Sequence, residues 1–259
     1  MSDLASWRTE LPPIHVEPTP RRVRVRAGDT LVAESDRAML LRWYGPGMLP
    51  TYCLPADDVR TELLHASESP RGRTPHTVEH DVRTDDTVVE RAALLVRDAP
   101  PEMAAVEGFW TFAWERGLSW FEEAFEVHVH ARDPHKRVDV VPSDRHVVVE
   151  LDGHVLAESR RPHALFESPL PTRWYLPRED VNQDLLIPSD TVTMCPYKGT
   201  ASYFSVRRGE ADPLADVAWT YLDPIPECPR VKGLVAFFNE KVDLTIDGEG
   251  VPRPQTPWS

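Results

Sequence analysis

The chain has 259 residues, with 29 Lys and Arg against 42 Asp and Glu, a formal net charge of −13, and 41% hydrophobic residues. That length buries a sizeable core, as one large domain or two modest ones, and the apolar share excludes both a disordered chain and a membrane bundle. Acidity without segregated basic residues excludes a polyanion partner such as nucleic acid, and no apolar run approaches the roughly 18 residues of a spanning helix, so no membrane partner is expected.

The start, Met1-Ser2-Asp3-Leu4-Ala5, has neither a basic nor an apolar stretch of a secretory signal. Three cysteines (Cys53, Cys195, Cys228) without a CxxC form no disulfide framework, and a reducing cytoplasm is the expected location. The 26 prolines are about twice the usual share and are spread along the chain, which disfavours long helices. Short strands joined by Pro-bearing loops are expected instead.

In chain order, residues 1–20 read as a Pro-bearing arm. Val23 and Val25 then alternate with Arg22, Arg24 and Arg26, the pattern of a half-solvated strand. Leu31-Val32-Ala33-Glu34-Ser35-Asp36-Arg37 follows, then Cys53-Leu54-Pro55-Ala56-Asp57-Asp58-Val59. Trp110, Phe112 and Trp114 alternate within the most apolar stretch of this half, as one aromatic strand face expected to pack against the second half of the chain. Residues 126–143 read as a linker. Its His128 and His130 would share a strand face, with His135 nearby, as a metal trio does, but a solvated linker is the simpler reading. Beyond it, His146 to Leu151 meets Asp152-Gly153 and leaves as His154 to Ala157, a strong hairpin cue. Val242, Leu244 and Ile246 alternate with Asp243, Thr245 and Asp247 near the end, and residues 249–259 read as a Pro-rich tail.

The chain repeats itself. Leu31 to Arg37 returns as Val155-Leu156-Ala157-Glu158-Ser159-Arg160-Arg161, and Cys53 to Val59 as Tyr175-Leu176-Pro177-Arg178-Glu179-Asp180-Val181. Val82-Arg83 matches Val206-Arg207, and Val106-Glu107-Gly108 matches Val231-Lys232-Gly233. Order is kept while the offset drifts by a few residues, the mark of a tandem duplication with repeats at 21–125 and 144–248.

The second repeat carries a run that the first lacks: Cys195-Pro196-Tyr197-Lys198-Gly199, then Tyr203-Phe204, Trp219-Thr220-Tyr221-Leu222-Asp223-Pro224 and Lys232-Gly233-Leu234-Val235-Ala236-Phe237. A thiol, a rigid Pro, an aromatic, an ammonium and a permissive Gly within five residues bring polar groups onto a ligand over an aromatic floor. These stretches resemble the domain-of-unknown-function family 427, with its CPYKGxAxYW, WxYxxP and KGxVAF patterns; Phe204 stands where the family has Trp. The resemblance covers nearly all of the second repeat. It implies a β-tent fold like that of the cereblon ligand-binding domain and of B-type methionine sulfoxide reductases, and no assigned reaction. The nucleotidyltransferase label sometimes attached to the family does not fix a function.

The expected fold is therefore mainly β: two tandem β-tent-like domains of short antiparallel strands with little helix. Aligned with the first repeat, Cys195 becomes Arg71, Tyr197 Arg73, Lys198 Thr74, Tyr203 Glu79, Trp219 Leu94 and Cys228 Met103. The expectation is a small-molecule site in the second repeat formed by Trp174, Cys195, Tyr197, Lys198, Gly199, Tyr203 and Trp219, beside a degenerate first repeat. Lys198 is open to two readings, a polar anchor (or an amine nucleophile, if burial lowers its pKa) and a surface lysine on a turn. Cys195 is a candidate thiolate, and more simply a buried small hydrophobe. Trp174, Tyr175, Tyr197, Tyr203, Trp219 and Phe237 could form an aromatic box, although sheet aromatics more often build core. Asp57-Asp58 and Glu179-Asp180 could hold Mg²⁺, but a shared structural role such as capping a short turn is simpler. No structural zinc and no other metal is expected, and no cofactor is specified. The alternatives to binding are a group-transfer enzyme, nucleotidyltransferase-like or dependent on Lys198 or Cys195, and a protein-interaction module with a vestigial pocket. The two repeats are expected to pack on each other, which leaves a monomer open.

Overall fold

The computed structural model describes residues 13–259 apart from 46, 47, 73, 115, 209, 210, 257 and 258. The chain divides into two compact units, Leu11–Asp133 and one built on Pro134–Ser259. The first holds β1 (His15–Pro18), β2 (Val23–Ala27), β3 (Thr30–Ser35), β4 (Met39–Arg42), β5 (Thr51–Cys53), β6 (Leu64–Ala66), β7 (Thr77–Arg83), β8 (Val88–Val96), β9 (Trp110–Phe112), β10 (Leu118–Glu122) and β11 (Phe125–Val127). The second holds β12 (Val138–Pro142), β13 (Val147–Leu151), β14 (His154–Ser159), β15 (His163–Glu167), β16 (Arg173–Leu176), β17 (Leu186–Cys195), β18 (Gly199–Arg208), β19 (Ala211–Thr220), β20 (Val235–Phe237), β21 (Asp243–Ile246) and β22 (Glu249–Val251). Helical structure among the described residues is confined to short 3-10 turns, and no helix is long and apolar enough to cross a membrane.

Each unit is built from antiparallel sheets, and the duplication is complete in topology. The second unit orders one sheet β12-β15-β16-β20-β19-β18-β17 and the other β14-β13-β21-β22. In the first, β1-β4-β5 and β6-β7-β8-β9 meet through paired Leu54 and Trp110 to reproduce the longer sheet, and β11-β10-β2-β3 reproduces the shorter. Period-2 burial marks the shorter sheet, where Val147, Val149 and Leu151 are buried while Val148 and Glu150 are half-covered, whereas the central β16 and β20 of the longer sheet are buried on both faces. The Asp152-Gly153 turn has φ of 51° and 79°, the positive pair that a two-residue hairpin needs.

Between its two sheets the second unit buries Val147, Val149, Leu156, Trp174, Leu176, Phe204, Ala218, Val235, Phe237 and Leu244. At about 1.5–3 kcal/mol per large apolar side chain this is the main source of its stability. Trp110, Phe112 and Trp120 belong to the corresponding core of the first unit, and Trp114 packs against it. The aromatic strand face thus closes its own unit, where it was expected to cover the other repeat.

Three outer segments also differ from expectation. The arm assigned to 1–20 contains β1, which pairs with β4, and its residues 1–12 lie outside the described residues. The linker assigned to 126–143 contains the end of β11 and the whole of β12, paired with β15; the 249–259 tail opens with β22, paired with β21. All four are edge strands of three to five residues. Edges tolerate Pro and need no apolar alternation, so the sequence carries little sign of them.

The paired carboxylates have the same work in both units. Ser159 Oγ donates to Asp180 Oδ2 at 2.7 Å, Arg161 Nη2 donates to Oδ1 at 3.0 Å, and the Arg161 backbone N–H donates to Ser159 Oγ. Ser35, Asp58 and Arg37 repeat this arrangement at 2.7 and 2.6 Å. Asp57-Asp58 and Glu179-Asp180 lie in 3-10 turns that no side chain caps. The second carboxylate of each pair ties its turn to the end of the preceding hairpin, a structural role other than the cap expected. Ser35→Ala and Ser159→Ala should each cost about 1 kcal/mol in chemical denaturation of the full chain; a cost at one site alone would contradict a shared tie.

Candidate functional site

The Cys195-to-Gly199 run is the turn between β17 and β18, closed by Lys198 N–H donating to Cys195 O at 3.3 Å. Gly199 has φ of 104°, and a Cβ there would stand 3.2 Å from the backbone nitrogen of Ile225 and 3.3 Å from Asp223 O. Only glycine allows that crossing without strain. It lets Ile225 N–H donate to Lys198 O at 3.1 Å, while Gly233 N–H donates to Tyr221 O at 2.9 Å. The three motif stretches, distant in sequence, therefore run side by side.

Lys198 is buried, 8% exposed. Its ammonium donates to Glu167 Oε2 at 2.5 Å, and Lys136 Nζ stands 3.1 Å from the other oxygen, Oε1. Lys136 also lies 5.3 Å from the centre of the Tyr197 ring, a cation–π distance. Burial alone would push the Lys198 ammonium down and the Glu167 carboxyl up, but their mutual attraction wins. Lys198 is raised above its ordinary value, and Glu167 falls to about 2 with Lys136 adding to the effect. This overturns the reading of Lys198 as an amine nucleophile of lowered pKa: the group is a fixed cation. It is equally not a surface lysine.

Around the ion cluster the long sheet presents its outer face. Trp219 Nε1 donates to the phenol oxygen of fully buried Tyr175 at 2.9 Å, and burial raises the phenols of Tyr175 and Tyr221. Tyr203 lies directly across from Trp219 in the β18–β19 register, half-buried, its hydroxyl 2.9 Å from Thr193 Oγ1. Phe238 joins them, its ring centre 4.6 Å from Trp219 and 6.4 Å from Tyr203. Arg173 sits 5.7 Å from both Trp219 and Phe238 and is held by a two-pronged bond to Glu240 at 2.7 Å. Cys195 is half-buried on the turn, whereas burial raises the thiol of Cys228 to about 11.

Of the residues expected from the sequence, Cys195, Tyr197, Lys198 and Gly199 share one turn, and Tyr203 and Trp219 one cross-strand pair. Trp174 does not join them. It is packed between the sheets with Phe237, while its neighbour Tyr175 faces the site, because adjacent strand residues point to opposite faces. Sequence reasoning missed Glu167, Lys136, Arg173 and Phe238. Glu167 carried a signal, since it follows Leu165 by two residues as Trp43 follows Leu41 in the first repeat. The histidine trio does not form. β11 ends at Val127, Val129 has φ of 71°, and His135 belongs to the other unit. Among the described residues no group of three His, Cys, Asp or Glu could hold a metal ion.

At four of these positions the first unit has apolar side chains, while buried Glu79, across from Leu94, stands for Tyr203. Trp43 stands for Glu167, Cys53 for Tyr175, Val96 for Tyr221 and Met103 for Cys228, and these four are buried together with Leu41 and Val106.

The family model described as domain of unknown function (DUF427) matches residues 15–123 and again 139–248. The chain belongs to that family, in two tandem copies. No curated protein matches it.

Removing Glu167's charge leaves two buried ammoniums facing each other, whereas removing Lys198's leaves Glu167 its bond to Lys136. Glu167→Gln should therefore cost about 3–5 kcal/mol and Lys198→Met clearly less. The wild-type contribution of Glu167, whose pKa is lowered, is complete above its ordinary value of 4.5 and is lost as pH falls toward 2. Denaturation of the full chain at pH 7 and pH 3 checks both; equal losses, or a Glu167→Gln variant with undiminished acid dependence, would contradict the assignment.

Proposed function

We propose that the C-terminal unit binds a small, partly planar molecule with an anionic or carbonyl-bearing edge at the Lys198 turn. One observation carries this reading: the ion cluster is not required by the fold. The first unit has the same topology and closes the equivalent space with Trp43, Cys53, Val96 and Met103. Burying charges costs several kcal/mol per ion before their attraction is counted, so a cluster that the fold can replace with apolar side chains is kept for another purpose.

The chemistry of that purpose follows from charge and shape. Two lysines on one carboxylate leave an excess of one positive charge where little water screens it. Such a charge suits a carboxylate, a phosphate or a polarised carbonyl. Tyr203 and Phe238, whose planes lie within 15°, offer aromatic faces for a ring, with Trp219 tilted 50° to Phe238 beside them. Lys198, held protonated, acts here as an anchor. The three free cysteines suit a reducing cytoplasm.

Planar carboxylates such as benzoate and nicotinate, and nucleoside monophosphates, should be titrated into the full chain by thermal shift. A ligand at 100 times its dissociation constant adds about 2.7 kcal/mol. The expected result is stabilisation by at least one of these anions, lost in Lys198→Met and reduced in Tyr203→Ala, both still folded. Silence across the panel, or a shift untouched by Lys198→Met, would overturn the reading.

A further inference from the structure

A separate cavity lies on the other side of the same long sheet. It is a cleft of about 380 Å³ at one end of the C-terminal unit, lined by Val141, Phe166, Trp174, Leu244, Ile246 and Pro254 among others. That volume is within the range of small-molecule sites. Trp174, which does not belong to the Lys198 site, forms part of its wall.

The first unit shows what this space is shaped to hold. Leu244 pairs with Val149 as Trp120 pairs with Val25, and Val149 and Val25 are equivalent hairpin residues. Leu244 therefore stands where the first unit has Trp120. Asn239, two residues after Phe237, stands where it has Trp114, two after Phe112. Ala164, paired with Trp174, stands for Leu40, paired with Tyr52. In the first unit Trp114 and Trp120 are stacked, centres 4.5 Å apart and planes within 9°, beside Tyr52. Three corresponding positions carry smaller side chains here than in the first unit, and although Trp174 is larger than its counterpart Tyr52, a cleft remains where two flat rings stand in the sister unit.

We propose that this cleft binds a small, flat, uncharged aromatic molecule of about the size of an indole, seated where the first unit places Trp114 and Trp120. The walls set the class. Glu122, which the first unit buries at this end with Arg21, Arg132 and the Tyr52 hydroxyl, is replaced by Ile246, so no buried charge awaits a counter-ion there. Arg145 on the rim is already paired with Asp247 at 2.7 Å. Asn239 spends its amide N–H on Thr172 O at 3.0 Å, which leaves its amide oxygen to accept from a ring N–H or hydroxyl.

Indole itself is the probe, added to the full chain and followed by NMR. The expected result is saturable binding with a Kd below about 1 mM, with transferred contacts from the ring to the methyl groups of Leu244, Ile246 and Val251. Leu244→Trp refills the slot and should abolish binding without lowering the melting temperature, while Lys198→Met, at the other face, should leave it unchanged. If Leu244→Trp does not fold, the methyl contacts in the wild-type chain decide. Absence of saturation to about 5 mM, contacts to other methyl groups, or undiminished binding by folded Leu244→Trp would overturn the proposal.

Discussion

A carboxylate held between two ammoniums out of reach of water is the constraint on which the C-terminal site depends. Glu167 lies at the end of β15, Lys136 ahead of β12 and Lys198 in the β17–β18 turn, so the cluster fixes three segments that no run of sequence connects. Its stability rests on Glu167, because the two ammoniums are tolerable in that environment only while this carboxylate stands between them. The same requirement sets its chemistry. A lysine whose partner holds it protonated cannot serve as a free amine, and what remains is a positive charge of fixed position beside three aromatic rings.

The duplication acts as an internal control. Both units keep the Asp- or Gly-bearing hairpin, the Ser–Arg–Asp tie and the strand order, and these are what the fold requires. They differ on the two sides of the long sheet. On its outer face the first unit is apolar where the second is charged; between the sheets the first stacks two indoles where the second has a cleft. Packing volume and charge differ between the units while the strand order is the same, so the fold tolerates the exchange.

Much of this was legible in the sequence, for reasons that can be traced. The duplication, the β class and the Asp152-Gly153 turn follow from local patterns that tertiary context does not override. The Cys195–Gly199 turn and the Tyr203–Trp219 pair were legible because they are contiguous or directly paired. Glu167 was passed over because a charge in a strand reads as solvent-facing, although its alignment with Trp43 marked the position, and Lys136 was not legible because it sits in a segment without apolar alternation. Trp174 was placed with Tyr175 although adjacent strand residues diverge, and that parity cannot be assigned until the buried face is known. Lys198's charge state was open because burial and a counter-ion shift it in opposite directions, and only the distance to Glu167 decides between them.

The most direct test is a site-resolved NMR titration of the Glu167 carboxyl carbon and the Lys198 Nζ in the full chain. The account predicts that Glu167 stays ionised well below its ordinary 4.5 and that Lys198 stays protonated above its ordinary 10.5. A Glu167 carboxyl that titrates near 4.5, or a Lys198 amine that deprotonates below about 9, would contradict it and return Lys198 to the reactive amines.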